Sequence, residues 1–267
     1  MGLEWALYPL AGVLAGLMAG LLGVGGGLVL MPILVFLLPL QGVDEASVMP
    51  MALATSLASI FLTGISSAYA HHRRGAVLWP TTGWLTPGLL IGAALGGILA
   101  VRLPASTLKF GVAIFCLLVA VQMFSAWPKP KPANEGAIAR GPLYSLAGMV
   151  IGFVSSIVGI GGGSLTVPLL VTRGIAPVRA VATSSACGVV IALSSAITYA
   201  SLTPATDLPV GSIGFVNVPV ALLIAVASIL SAPLGARWAH RLPAARLKQI
   251  FAGFLLLVAG LLFHNAM

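Results

Sequence analysis

Long apolar runs separated by short polar stretches make up most of this chain. Three runs, at about residues 46–70, 78–101 and 105–126, are each long enough to cross about 30 Å of hydrocarbon as a helix. An earlier run, at about residues 5–23, ends in a cluster of glycines, and a shorter run at 28–40 follows it. This pattern predicts an all-α integral membrane protein that combines complete spans with broken helices.

The glycine cluster occurs twice, 136 residues apart, and each copy is followed by a proline. The first copy runs from Gly20 to Pro32 (GLLGVGGGLVLMP), and the second from Ser156 to Pro168 (SIVGIGGGSLTVP). A helix break inside a membrane is tolerated only where protein or a water-filled cavity surrounds the backbone groups that it frees. Such breaks in matching halves of a membrane protein indicate the binding site of a transporter.

Other short motifs are repeated in the same order in the two halves, which indicates an internal duplication. The matching pairs are Ala54-Thr55-Ser56 with Ala182-Thr183-Ser184, Ser66-Ser67-Ala68 with Ser194-Ser195-Ala196, Gly96 with Gly235, and Arg102–Lys109 with Arg241–Lys248. We therefore predict a membrane repeat at 1–126, a proline-rich linker at 127–140 and a second membrane repeat at 141–267, together forming one transport domain.

The composition supports a membrane protein and argues against nucleic acid as a partner. Hydrophobic residues make up 59% of the chain and charged residues only 7%, whereas soluble domains carry about 25% charged residues. The net charge of +8 comes from basic residues scattered between apolar runs, without a dense basic patch. The first apolar run lacks the basic start and cleavage site of a signal peptide, so we interpret it as mature structure. Cys116 and Cys187 lie within apolar runs and are interpreted as small buried hydrophobes.

The distribution of basic residues predicts the orientation of the spans. If residues 71–77 and the linker are cytoplasmic, eleven Lys and Arg lie on the cytoplasmic side and two, Arg102 and Lys109, on the other. Equivalent loops of the two halves then lie on opposite faces, so we predict inverted repeats, with both termini on the non-cytoplasmic side. Each glycine-broken pair is either a re-entrant hairpin or two short crossings, which gives about eight to ten segments in all.

The chemistry of the glycine clusters favours an anion. Glycine permits positive φ values and a close approach of a ligand to the backbone. A helix that begins at Gly27 or Gly163 leaves its first N–H groups without intrahelical partners, at the positive end of the helix dipole. Pro32 and Pro168 cannot donate to the carbonyl four residues earlier, which leaves the carbonyls of Leu28 and Ser164 available to a ligand or cation. Close packing of small residues is the competing interpretation.

The candidate substrate-binding residues are therefore the glycines of both clusters, the prolines and the neighbouring hydroxyls: Gly23, Gly25, Gly26, Gly27, Pro32, Thr55, Ser56, Gly159, Gly161, Gly162, Gly163, Ser164, Pro168, Thr183, Ser184 and Ser185.

Motifs of soluble enzymes and metal proteins do not fit. The first cluster has Leu28 where a dinucleotide fingerprint needs its third glycine, and no Gly-Lys-Ser/Thr follows either cluster. The four histidines show no zinc spacing, and no Asp or Glu lies within a membrane segment to act as a base or proton relay. We expect neither an enzyme, nor a metal, nor a cofactor.

At these residues the chain resembles the sulfite exporter family named after TauE and SafE. The resemblance rests on GLLGVGGG at 20–27, VGIGGG at 158–163, the prolines that follow and the Ala-Thr-Ser segments, and it covers essentially the whole chain. It implies a bacterial inner-membrane permease that moves sulfite, sulfoacetate or other organosulfonates, usually outward. The expected partners are this small anion and the lipid bilayer, with a homodimer left open. A channel-like anion facilitator and a non-transporting structural or sensory subunit are the alternative functions.

Overall fold

The computed structural model describes residues 4–22, 26–125, 140–204, 208–239 and 244–264. Its elements are α1 (Glu4–Leu22), α2 (Gly27–Leu37), a 3₁₀ turn (Leu38–Gln41), α3 (Glu45–Arg73), α4 (Trp79–Arg102), α5 (Ala105–Ser125), α6 (Pro142–Val158), α7 (Gly163–Val171), α8 (Pro177–Ser201), β1 (Ser212–Ile213), β2 (Val216–Asn217), α9 (Val218–Ala239) and α10 (Ala244–His264).

The described residues form a helical membrane fold with almost no sheet. Five helices, α3, α4, α5, α8 and α9, are long and apolar enough to cross a bilayer. The bounds of α3, α4 and α5 lie within three residues of the predicted runs. The expected all-α membrane architecture is therefore confirmed, because uninterrupted apolar runs of this length have few other stable forms.

Both glycine clusters break the chain between a longer and a shorter helix. After the first break α2 has 11 residues, and after the second α7 has 9, so each rises only about 13–17 Å. Gly159 ends α6 in the left-handed conformation with φ 78°, and its N–H donates to the carbonyl of Ser155 at 2.9 Å. Gly162 begins α7, also left-handed, with φ 73°. Few residues other than glycine adopt this conformation without strain.

The two halves are packed through exchanged helices. The first helix of each half lies against the fourth helix of the other, so α1 packs on α9 and α6 packs on α4. Glycines make these contacts very close: a Cβ on Gly92 of α4 would overlap the Met149 carbonyl, and one on Gly152 of α6 would lie 2.5 Å from the Leu89 carbonyl oxygen. Small residues let helix backbones approach in this way inside a membrane.

Equivalent helices of the two halves run antiparallel where they meet. In the contact of α3 with α8, Gly64 lies against Val189, and the Ser67 hydroxyl lies 3.4 Å from that of Ser185. The starts of α3 and α5 lie at one end of the bundle, because Lys109 Nζ is paired with Glu45 Oε1 at 3.1 Å. At that end α5 also meets the last turn of α10, where the Phe110 and Phe263 rings are 5.1 Å apart.

A short β-hairpin that the apolar pattern did not predict precedes α9. Ser212 pairs with Asn217 and Ile213 with Val216. The N–H of Phe215 donates to the Tyr199 carbonyl at 3.1 Å, which fastens the hairpin to the end of α8. The hairpin leads directly into Asn217, whose side-chain oxygen accepts from the N–H of Val220 at 3.2 Å in the first turn of α9.

Candidate functional site

The two glycine breaks lie against each other. A Cβ on Gly27, the first residue of α2, would stand 2.8 Å from the Gly159 carbonyl oxygen and 3.0 Å from the Ile160 Cα. The same carbonyl oxygen accepts a hydrogen bond from Ser56 Oγ at 3.1 Å. Absence of a side chain at Gly27 is therefore what allows the start of α2 to contact the second break.

The glycines of the two breaks serve different physical needs. Gly159 and Gly162 have positive φ values, as the sequence analysis expected of a break. Gly26 does not: its φ is −76°, in the ordinary helical region, and its constraint is Ala15, whose Cβ would be 3.0 Å from an added Cβ. Gly23 and Gly25 lie outside the described residues.

The first N–H groups of α7 have no acceptor within the helix. The N–H groups of Leu165 and Thr166 both donate to the Gly162 carbonyl, at 3.1 and 2.8 Å. The N–H groups of Gly163 and Ser164 come before this point and point out of the helix start. Helix α2 has the same arrangement, with Val29 and Leu30 donating to Gly26.

Ser164 combines burial with an unused hydroxyl. Its exposed fraction is 7%, and its Oγ has no hydrogen-bond partner among the described residues. Its carbonyl also lacks the usual partner four residues later, because that residue is Pro168. A buried polar group without a partner is costly, so an unused hydroxyl at a helix start points to a ligand or a water there.

Ser164 lies on the wall of a cavity of about 840 Å³ between α5 and α7. On one side the cavity is lined by Ser164 and Pro168 of α7 and by Thr172 directly after it, which are spaced by four residues, with Leu165 and Leu169 beside them. Its α5 wall consists of Phe115, Leu118, Val119, Val121, Gln122 and Ser125. Two residues of the predicted site, Ser164 and Pro168, therefore border open space.

Two more buried hydroxyls beside the second break lack partners among the described residues. Ser155 in α6 and Thr166 in α7 are fully buried, and neither Ser155 Oγ nor Thr166 Oγ1 is hydrogen-bonded. The sequence analysis missed both. A position-by-position comparison of the duplicated segments contains the signal, because these residues and Ser164 correspond to Ala19, Leu30 and Leu28 in the first half.

The threonines of the two Thr-Ser pairs accept hydrogen bonds from the starts of other helices. Thr55 Oγ1 accepts from the N–H of Asn217 at 3.1 Å, and Thr183 Oγ1 accepts from the N–H of Leu78 at 3.0 Å. Asn217 and Leu78 stand at the starts of α9 and α4, so each threonine caps the fourth helix of the other half. Both hydroxyls were predicted to line the binding site, and each keeps an O–H donor in addition to this capping contact.

The remaining predicted residues lie around the same junction. Ser185 Oγ donates to the Val181 carbonyl within α8 at 3.1 Å, and Ser184 is buried in the same helix. Gly161 lies against α8, since a Cβ on Gly188 would be 2.8 Å from the Gly161 carbonyl oxygen. Pro32 and Gly163 are buried within α2 and α7. Across the described ranges, no group of three metal-binding side chains is found.

Comparison with known proteins identifies the family. The family described as sulfite exporter TauE/SafE matches residues 8–262. The chain belongs to this family. A probable membrane transporter protein of Haemophilus influenzae is 36% identical over 255 residues, covering 95% of this chain and 96% of the relative. One of Methanocaldococcus jannaschii is 29% identical over 252 residues, covering 93% and 91%. The Bacillus subtilis relative YunE, described in the same words, is 29% identical over 206 residues, covering 68% and 73%. As a member of the TauE/SafE family, the protein is a multi-pass membrane transporter.

The capping contacts lead to a first prediction, about Thr55 and Thr183. Thr55→Val and Thr183→Val keep the side-chain shape but leave the buried N–H of Asn217 or Leu78 without its partner, at a cost of about 1–3 kcal/mol. We expect each variant to lower the melting temperature of the detergent-purified protein by roughly 2–4 °C for each kcal/mol lost. Thr55→Ser and Thr183→Ser keep the hydroxyl and serve as matched controls. Valine variants as stable as the serine controls would contradict the capping role.

Proposed function

We propose that this protein exports small sulfur-containing anions, such as sulfite or sulfoacetate, and binds them at the second glycine break. The observation that carries the proposal is the buried, unpartnered hydroxyl of Ser164 at the start of α7, on the wall of the 840 Å³ cavity. The family match supports the choice of sulfur anions.

The donors at this break suit a small oxyanion. The N–H groups of Gly163 and Ser164 and the Ser164 hydroxyl are neutral donors at the positive end of α7, and anions bind at such helix starts. The site holds no basic side chain among the described residues that line the cavity. Binding without an opposite charge is expected to be modest, which suits a transporter that must also release its substrate.

The first half supports this site and does not form a second one. Its equivalent of Ser164 is Leu28, which is buried and has no hydroxyl. Its contributions are Gly27, which contacts the second break, and Ser56, which binds the Gly159 carbonyl. In this proposal the first break supports the backbone at which the second break binds the anion.

We also propose that the halves are inverted repeats in a bacterial inner membrane, divided by the linker at 127–140, with both termini on the non-cytoplasmic side. Two structural observations support this: α3 and α8 run antiparallel, and so do α5 and α10. Antiparallel equivalent helices are what an inverted duplication requires. The excess of basic residues on one side supports the direction of insertion.

The second prediction concerns this topology. Arg74 follows α3 and Thr203 follows the equivalent helix α8, and both are exposed. In intact cells, Arg74→Cys should resist a membrane-impermeant maleimide, and Thr203→Cys should react. In inverted membrane vesicles the pattern should reverse. Reaction of both cysteines from the same side would exclude inverted repeats, because equivalent helix ends would then share one face.

The third prediction concerns function and begins with flux. Liposomes that contain only the purified protein should take up or release sulfite or sulfoacetate at a saturable rate. An excess of unlabelled anion on the opposite side should accelerate the exchange, which a carrier shows and a channel-like facilitator does not. Sulfate, thiosulfate and taurine complete the panel. Absence of flux and of anion-induced thermal stabilisation for the whole panel would overturn the proposed function.

The same assay tests the role of Ser164. Ser164→Ala removes one neutral hydrogen bond, worth about 0.5–1.5 kcal/mol, and should raise the half-saturation concentration roughly two- to twelvefold. The stability of the anion-free protein should not fall, because the Ser164 hydroxyl has no partner to lose. Ser194→Ala is the matched control, since the Ser194 hydroxyl donates to the Leu90 carbonyl at 2.8 Å, outside the cavity. Unchanged half-saturation in Ser164→Ala would remove this residue from the site.

A further inference from the structure

The cavity beside Ser164 extends along α5 and α7 to the ends of both helices. Thr172, one residue beyond the end of α7, and Ser125, the last residue of α5, belong to its lining. The cavity thus connects the start of α7 with the end of the bundle at which α5 and α7 finish. The distribution of basic residues assigns this end to the cytoplasm.

One polar side chain on this route forms no hydrogen bond with the other described residues. The hydroxyls of Thr172 and Ser125 are already used within their own helices, donating to the carbonyls of Pro168 and Gln122 at 3.0 and 3.4 Å. Gln122 is different, because its side-chain amide forms no hydrogen bond with another described residue although it lies in an apolar helix. Gln122 lies in the last turn of α5, so its amide is placed at the cytoplasmic end of the cavity, within reach of water or a polar ligand.

The charges near the route favour an anion. Arg173 directly follows Thr172, is exposed, and is held by Tyr144, whose hydroxyl oxygen lies 3.4 Å from Arg173 Nη1. The carboxylate of Glu45 is paired with Lys109 near the opposite end of α5. A positive charge at the mouth with no lining carboxylate raises the local concentration of anions.

We propose that the cavity between α5 and α7 is a water-filled route from the cytoplasm to Ser164, and that Gln122 is the specificity-determining residue that selects anions along it. The inference rests on the proposed function, because Ser164 is the site to which the route leads. Gln122 presents two N–H donors without a charge, so it can bind an oxyanion in passing and exchange it with water. The equivalent position in the second half is Leu261, whose side chain has no N–H donor. We therefore expect this selection only on the cytoplasmic side.

Cysteine accessibility tests the route independently of transport. In a protein whose buried Cys116 and Cys187 are replaced by alanine, single cysteines are placed at Gln122, at Ser164 and, as a lipid-facing control, at Phe124. Phe124 lies on the same helix and does not line the cavity, and its exposed fraction of 55% is close to those of Leu118 and Val121, which do line it, so the comparison separates cavity lining from exposure. Two membrane-impermeant methanethiosulfonates are applied to either face of sealed vesicles: the anionic sulfonatoethyl reagent and the cationic trimethylammonioethyl reagent. The rate at which each reagent modifies the cysteine is divided by the rate at which it modifies a small thiol in solution.

We expect Gln122→Cys and Ser164→Cys to react from the cytoplasmic face and Phe124→Cys to remain unreactive. At Ser164→Cys the anionic reagent should be favoured over the cationic one. Adding Gln122→Leu should lower the preference for the anionic reagent, because the two amide N–H donors are lost. Adding Gln122→Glu should lower it further, because a unit charge acting over about 10 Å at an effective dielectric constant near 20 changes the rate of each reagent roughly tenfold, in opposite directions.

Two results would overturn the inference. A Gln122→Cys variant as unreactive as Phe124→Cys would mean that lipid chains fill the cavity. A charge preference at Ser164→Cys that is unchanged by Gln122→Leu would remove Gln122 from selection. This test can fail independently of the proposed function. The expected reactivity in a protein without sulfur-anion flux would support the route and reject the proposed substrate. Flux without reactivity would support the substrate and reject the route.

Discussion

Every backbone group freed by a helix break inside a bilayer needs a partner, and this requirement shapes the centre of the molecule. At the second break, the Ser155 carbonyl accepts from the N–H groups of Gly159 and Ile160, at 2.9 and 3.0 Å. The Gly159 carbonyl is satisfied from the other half of the chain, by Ser56. Gly27 packs on that carbonyl without a side chain. The two halves are therefore joined at the point where each one is broken.

The duplication places two similar helix starts together but gives them different surroundings. Both α2 and α7 begin with free N–H groups at the positive end of a helix, so the dipole alone does not distinguish them. The hydroxyls distinguish the two helix starts, because Ser155, Ser164 and Thr166 correspond in sequence to Ala19, Leu28 and Leu30 of the first half. The second break is therefore the more polar of the two. The cavity is lined by Ser164 of this break and by residues of α5.

Sequence reasoning succeeded where local pattern decides the structure. Apolar runs determined the bounds of α3, α4 and α5, since a run of that length in lipid has to be a helix. The glycines at the breaks were expected to permit positive φ values, and Gly159 and Gly162 have them. Tertiary contacts decided the rest. Gly26 is confined by Ala15 rather than by its dihedral angles, and Thr55 and Thr183 cap helices more than 100 residues away in sequence. Gln122 was not among the predicted residues, because only the tertiary placement of α5 beside α7 brings it to the cavity.

The central claim, that the anion binds at the start of α7, is tested most directly by locating a heavy analogue. Selenite has the shape and charge of sulfite, and selenium can be located by its anomalous scattering in crystals of the protein. We expect one selenium peak within about 4 Å of Ser164 Oγ and the Gly163 N–H, a distance set by the length of a hydrogen bond to an oxyanion. Occupancy at this position should fall in Ser164→Ala. A selenium peak beside Leu28 at the start of α2, with none at α7, would contradict the account.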